Sequence, residues 1–216
     1  MTKPEIRKDY FKDEYVIIAP NRAKIPRTTV NKIPEVDPTK ACYFCPETFA
    51  NDVLTYRDNN ANGDWEIISS VNKYPSVSLD NPKAYGQAEV IVETNKHGVD
   101  INELSVDHIV RIFDAYINRY TVLKHIEGIK HVIIFKNEGG KAGASIDHSH
   151  SQVIALPLLP PKVKSEIEAY DKYRLENNSC PYCDIIAKES DSPRVIWQDR
   201  NLFVVAPFAS ESPYGA

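Results

Sequence analysis

The residues with the greatest chemical potential lie in one short segment, His148-Ser149-His150-Ser151-Gln152. Successive side chains of an extended strand point to opposite faces, so His148, His150 and Gln152 share one side and Ser149 and Ser151 the other. Imidazole is a nucleophile at neutral pH, titrates near 6.5 and binds metals, so two imidazoles and an amide in a row suit chemistry on an anionic substrate. Upstream, Asn137-Glu138-Gly139-Gly140-Lys141-Ala142-Gly143 supplies glycines whose N–H groups can approach a phosphate closely. A bare H-x-H pattern is more often a surface strand or an incidental metal pair than a nucleophile. The glycine loop, Ser145 just ahead of the histidines and Gln152 just after them shift the reading toward phosphate chemistry.

The cysteines come as two spaced pairs, Cys42-Tyr43-Phe44-Cys45 and Cys180-Pro181-Tyr182-Cys183. Outside an oxidising compartment such a C-x-x-C pair reads first as a zinc half-site and second as a redox pair. A thioredoxin-like pair would sit at the start of a helix, and neither pair is expected to open an amphipathic one. A structural zinc takes four ligands, of which Cys42 and Cys45 would supply two.

The elements that must position these groups are legible in outline. Strands are predicted at Tyr15–Ala19, Trp65–Ile68, Glu89–Glu93, His131–Phe135 and His148–Leu156, with a hairpin formed by Val195–Trp197 and Leu202–Val205. Ser105 can cap a helix running to about His125, whose apolar positions Ile109, Ile112, Phe113, Tyr116, Ile117, Tyr120 and Leu123 imply one buried face. A second helix is predicted over 162–175. The result is an α+β fold, a mainly antiparallel sheet with a long packed helix. The chain has 216 residues, a formal net charge of -4 and a pI near 5.9, which argues against a general nucleic-acid binder. No apolar run reaches the ~18 residues of a membrane span, and the N-terminus lacks a secretory apolar region, so a cytoplasmic protein is expected.

Taken together, these motifs resemble the galactose-1-phosphate uridylyltransferases, the nucleotidyltransferase branch of the histidine triad superfamily. The family signature H-P-H-G-Q stands here as His148-Ser149-His150-Ser151-Gln152. Asn137-Glu138-Gly139 and Gly143-Ala144-Ser145 match its N-K-G and G-x-S elements, and Ile6–Asp9 with Tyr15–Arg22 is similar to its opening strand and substrate-binding arginine. Cys42-x-x-Cys45, Asn72-Lys73-Tyr74-Pro75 and the His97 segment fall in register. Two departures stand out. Serines replace the motif's proline and glycine, and Ile25 stands where a second arginine is expected. A related branch, phosphorylases of ADP-sugars, tolerates serine beside the same histidine.

The resemblance implies a histidine-triad-like catalytic domain over 1–160, then a connecting helix and the start of a second, similar domain over 161–216. His150 would be the nucleophile that takes UMP from UDP-glucose and passes it to galactose 1-phosphate in ping-pong fashion. Arg22, Asn72, Asn137, Gly143, Ser145 and Gln152 would bind substrate, and Cys42, Cys45, His97 and His148 would hold zinc. Expected partners are a nucleoside diphosphate sugar and a sugar 1-phosphate, with no nucleic acid or membrane, in a homodimer. Two alternatives stay open: an ADP-sugar phosphorylase or adenylyltransferase using the same histidine, and a zinc-stapled nucleotide-binding module without turnover. Pro75 follows Cys45 at the interval, 30 residues, at which Pro213 follows Cys183. That repeat predicts two related halves with the second cut short, leaving Cys180 and Cys183 without histidine partners.

Overall fold

In the computed structural model, which describes residues 3–20, 22, 42–49, 53–138, 146 and 148–210, the chain forms two compact units, Met1–Pro160 and Pro161–Ala216. The first opens on an antiparallel hairpin of β1 (Glu5–Lys8) and β2 (Tyr15–Ile18). The main sheet contains β3 (Leu54–Asn59), β4 (Trp65–Val71), β5 (Gln87–Val92), β6 (His131–Phe135) and β7 (His150–Leu156), all antiparallel in the order β3-β4-β5-β7-β6. Helix α1 (Val106–Leu123) joins β5 to β6 and covers one face of the sheet. The second unit holds α2 (Pro161–Asn177), α3 (Pro181–Glu189) and the hairpin β8 (Val195–Gln198) and β9 (Phe203–Val205). The fold is α+β with a mainly antiparallel sheet, as the pattern of strands and one long helix predicts. Among the described residues no helix is long and apolar enough to cross a membrane.

β5 is central and reads as an apolar run because both its faces are covered. Facing α1, Ile67, Ile91, Val132, Val153 and Ala155 of the sheet pack against Ile112, Ala115 and Leu123 of the helix. A second buried cluster gathers Trp65, Ile68, Val90 and Val92 under Phe44 and Phe49 of the first cysteine segment. The third, Val77, Ala84 and Ala88, packs Ile6 and Ile17 of the first hairpin beside Ile154 and Leu156. At about 25 cal/mol per Å², each fully buried Ile or Val here contributes about 1.5–3 kcal/mol. Gly86 leads into β5 at φ +151°, and a Cβ there would fall 2.3 Å from the Ala155 carbonyl oxygen, so only glycine lets β5 meet β7 at this point.

Ser105 caps α1 as expected, its hydroxyl accepting from the His108 N–H at 3.3 Å. The helix does not bury all seven of the apolar positions seen in the sequence. Its inward face carries Ile112, Ala115, Arg119 and Leu123, whereas Phe113, Ile117 and Tyr120 are exposed together with Val106 and Val110. Two apolar stripes, not one, produced the periodicity. Arg119 on the inward face makes a bidentate pair with Glu89 of β5, Nε to Oε2 at 2.8 Å and Nη2 to Oε1 at 2.9 Å, and Ser69 and Thr55 also donate to Oε2. Their side chains are only 6% and 1% exposed. Removing one partner of such a pair strands a buried charge, so Arg119→Met should cost about 3–5 kcal/mol in urea unfolding. Removing both, Arg119→Met with Glu89→Met, should cost clearly less, and a larger loss in the double variant would contradict this account.

The second cysteine pair departs from expectation. Cys180 is the N-cap of α3, with Pro181 at its first position, so this C-x-x-C does open a helix. Proline's fixed φ suits that position, a local signal that outweighs the short helix's weak periodicity. Strand β3 is an element beyond those expected, because Leu-Thr-Tyr-Arg-Asp-Asn carries too few apolar residues to announce it.

Candidate active site and metal-ligand cluster

His150 opens β7, where it pairs with Val92 of β5 and Ser151 pairs with Ile91, and His148 lies just ahead of the strand. The expected alternation is present: Ser149 and Ser151 turn toward Glu93, while the two histidine rings lie against Phe44, whose ring centroid is 6.0 Å from that of His148 and 5.1 Å from that of His150. Both histidines are buried.

One atom of each ring is already committed. His148 Nε2 lies 2.8 Å from the Thr94 carbonyl oxygen, which can only accept, so Nε2 carries the proton and the Nδ1 lone pair points elsewhere. It points at sulfur, 3.6 Å from Cys42 Sγ and 3.9 Å from Cys45 Sγ. His97 Nδ1 lies 3.6 Å from Cys45 Sγ. The ligand atoms of Cys42, Cys45, His97 and His148 all fall within 4.8 Å of one another, a group able to hold a metal ion. Burial, with Cys42 beside it, pushes the Cys45 thiol up to about 11. Without a cation this thiol stays protonated at neutral pH. Among the described residues no such cluster forms around Cys180 and Cys183.

In His150 the committed atom is the other nitrogen. Nδ1 lies 2.7 Å from the carbonyl oxygen of His148 two residues back, which makes Nδ1 the protonated nitrogen and leaves Nε2 with its lone pair. Burial holds this ring below its ordinary pKa, opposed by the hydrogen bond to His148, so the imidazole is neutral near pH 7.

The proposed substrate contacts are placed unevenly. Gln152 follows on β7, half-buried and paired with Val90 and Phe135. Asn137 is half-buried just beyond β6. The Asn72 side chain accepts from the Tyr74 N–H at 2.9 Å, shaping a turn, and Arg22 Nη1 donates to the Tyr74 carbonyl at 3.5 Å. Those two therefore converge on one short segment. Gly143 and Ser145, and most of the glycine loop, lie outside the described residues. Phe44, the Thr94 carbonyl, Glu93 and Lys136 were not picked out from sequence. The signal for Glu93 was present: it shares the strand face of Ile91, an acidic residue in an inward register position.

A model of the family described as galactose-1-phosphate uridyl transferase, N-terminal domain, matches residues 1–160. The chain belongs to the galactose-1-phosphate uridyl transferase family. Members and their structures agree with this across nearly the whole chain. An ADP-glucose phosphorylase of Arabidopsis thaliana is 30% identical over 98% of this chain and 64% of its own length. A galactose-1-phosphate uridylyltransferase of Thermotoga maritima is 26% identical over 97% of this chain and 64% of its own. The solved structure of a uridylyltransferase mutant superposes with a TM-score of 0.72 at 28% identity, over 94% of this chain and 61% of that one. This galactose-1-phosphate uridyl transferase family chain thus spans slightly under two thirds of the length of these relatives.

Proposed function

We propose that the unit over 1–160 transfers a nucleotidyl group through His150, taking UMP from UDP-glucose and passing it to galactose 1-phosphate. The observation that carries this reading is the hydrogen bond from His150 Nδ1 to the His148 carbonyl, because it leaves Nε2 as a free lone pair on a neutral ring. Nε2 attacks the α-phosphorus, an Nε2–P bond forms, and the bond from that phosphorus to the bridging oxygen breaks. Glucose 1-phosphate leaves with the electron pair. The ring gains positive charge, which Nδ1–H shares with the His148 oxygen. Attack by the phosphate oxygen of galactose 1-phosphate then breaks the Nε2–P bond and restores the imidazole. Gln152 and Asn137 are proposed to donate to the phosphoryl oxygens, where negative charge develops. An amide at Gln152 can donate in this way but cannot readily activate water, which favours transfer over hydrolysis.

Cys42, Cys45, His97 and His148 are proposed to hold a structural zinc. With Zn–S of about 2.3 Å and Zn–N of about 2.0–2.1 Å, the S···N edge of a tetrahedron is about 3.6 Å. Two of the sulfur–nitrogen distances are 3.6 Å, which supports the fit. The Thr94 carbonyl behind His148 is the kind of outer partner that fixes a ligating imidazole's tautomer. Zinc would supply rigidity next to the nucleophile, with no part in the transfer itself.

A second reading has its own support. The serines at 149 and 151 and the 30% identical ADP-glucose phosphorylase both favour an ADP-sugar as nucleotidyl donor. Incubating the chain with UDP-glucose or ADP-glucose and measuring intact mass decides between the readings. A gain of one UMP is expected, a gain of one AMP alone would move the assignment to ADP-sugars, and no gain with either would leave a nucleotide-binding module.

A further inference from the structure

The face of β7 opposite His150 carries a second polar cluster that the transfer reading does not use. Glu93, just beyond β5, is fully buried, yet its carboxylate receives four donors. Oε1 accepts from Tyr116 Oη at 2.5 Å and from Ser151 Oγ at 2.5 Å. Oε2 accepts from Ser149 Oγ at 2.6 Å and from Lys136 Nζ at 2.7 Å. The donors also touch one another, Lys136 Nζ donating to Ser149 Oγ at 2.8 Å and Tyr116 Oη meeting Ser151 Oγ at 2.6 Å. An ionised carboxylate offers about four acceptor sites, so this one is saturated. Burial works to raise its pKa, but the Lys136, Ser149, Ser151 and Tyr116 hydrogen bonds outweigh that and hold Glu93 below the usual carboxylate range.

The placement of the tethers is what gives this cluster a bearing on the site. Ser149 and Ser151 are the residues immediately before and after His150. One carboxylate therefore grips the strand on both sides of the ring. The Glu93 N–H also donates to the Ser149 carbonyl at 3.1 Å. The carbonyl that receives His150 Nδ1 belongs to the peptide unit joining His148 to Ser149, so holding Ser149 fixes that acceptor as well. Proline and glycine, which the H-P-H-G-Q signature has at these two positions, have no hydroxyl to tether. In this chain both positions are instead tethered by hydrogen bonds to a buried carboxylate.

We propose that Glu93 is a positioning residue for His150. Through Ser149 and Ser151 it sets the angle at which Nε2 is presented, while Lys136 and Tyr116 hold the carboxylate. This rests on the reading of His150 as nucleophile. A reacting atom displaced by about 1 Å can slow a step by about 10²-fold, which sets the size of the expected effect. Glu93→Gln keeps the shape but removes the charge and turns one acceptor oxygen into a donor NH₂ that must face two of the four groups now donating to the carboxylate. Single-turnover adduct formation in the full chain, followed by quenched mass spectrometry over a range of nucleotide-sugar concentrations, separates the rate at saturation from the concentration at half-saturation. Thermal melting and metal content are measured alongside. The expected result for Glu93→Gln is a saturating rate lower by about 100-fold, with half-saturation and metal content little changed. The double variant Ser149→Ala with Ser151→Ala leaves Glu93 paired with Lys136 and Tyr116, so it should fold and show the same selective fall in rate. A lower melting temperature with an unaltered rate in the folded fraction would overturn the positioning role and leave a purely structural one. Adduct formation in both variants at the rate of the unaltered chain would overturn this proposal alone. No adduct in the unaltered chain, with UDP-glucose or ADP-glucose, would overturn the nucleophile and its positioning residue together.

Discussion

His150→Gly should abolish the nucleotidyl adduct, leaving the intact mass unshifted after incubation with the nucleotide sugar that labels the unaltered chain. Losing the nucleophile of a covalent mechanism removes the step itself, and such losses reach roughly 10⁶-fold in turnover. The geometry makes the expectation specific to one histidine. His148 Nε2 is held by the Thr94 carbonyl and its Nδ1 faces two thiols, whereas His150 presents Nε2. Glycine removes the imidazole but leaves the backbone pairing of His150 with Val92 intact. The packing of Phe44 against the ring is lost, so a modest fall in melting temperature is expected beside an unchanged circular dichroism spectrum. Peptide mapping of the unaltered chain should place the nucleotide on His150. Recovery of it on His148 would reverse the assigned roles.

The second large effect concerns the metal. Cys42→Ala should release zinc and lower the melting temperature sharply, and chelation of the unaltered chain should produce a similar fall. Structural zinc contributes about 10–16 kcal/mol in apparent binding to small zinc-finger peptides, against a total stability of about 5–15 kcal/mol for an ordinary domain. Even a fraction of that would dominate here, because the proposed ligands would tie the residues just before β7 and just after β5 to the short cysteine segment. Binding must also draw the proton off Cys45, whose thiol lies near 11 without a cation. Zinc loading should therefore release protons measurable in a weakly buffered titration. Elemental analysis showing no transition metal, or melting unmoved by a chelator, would contradict the assignment.

Much of this was readable from the sequence. Elements with strong periodicity or a clean cap, such as α1 behind Ser105, lie within two residues of where their patterns place them. The motif His148-Ser149-His150 declared a two-faced strand because side-chain alternation is a property of the backbone. What the sequence obscured depends on partners distant in the chain. Arg119 looks like a solvated charge on a helix until Glu89 appears 30 residues away, and Lys136 like a strand-end lysine until it meets Glu93. Phe113 and Ile117 looked like core, although they share the helix with a better-packed face. The helix that starts at Cys180 is hard to read because nine residues carry little periodicity and only one proline announces its start.

The pairing of Val92 with His150 also sets an order of assembly. α1 and the hairpin of β6 with β7 are built from local contacts and can form within microseconds. Joining β5 to β7 must then span α1 and β6, and Cys42 stands 106 residues before His148. Closing a loop of about 100 residues costs about 4.7 kcal/mol in chain entropy, so the ligand side chains are brought together most cheaply once β5 and β7 have paired. The expected order is therefore pairing of the strands first and closure of the ligand set afterwards, and a metal bound there would act as a final latch. A nascent chain that has emerged only as far as β6 holds the Cys42 knuckle without its buried histidine.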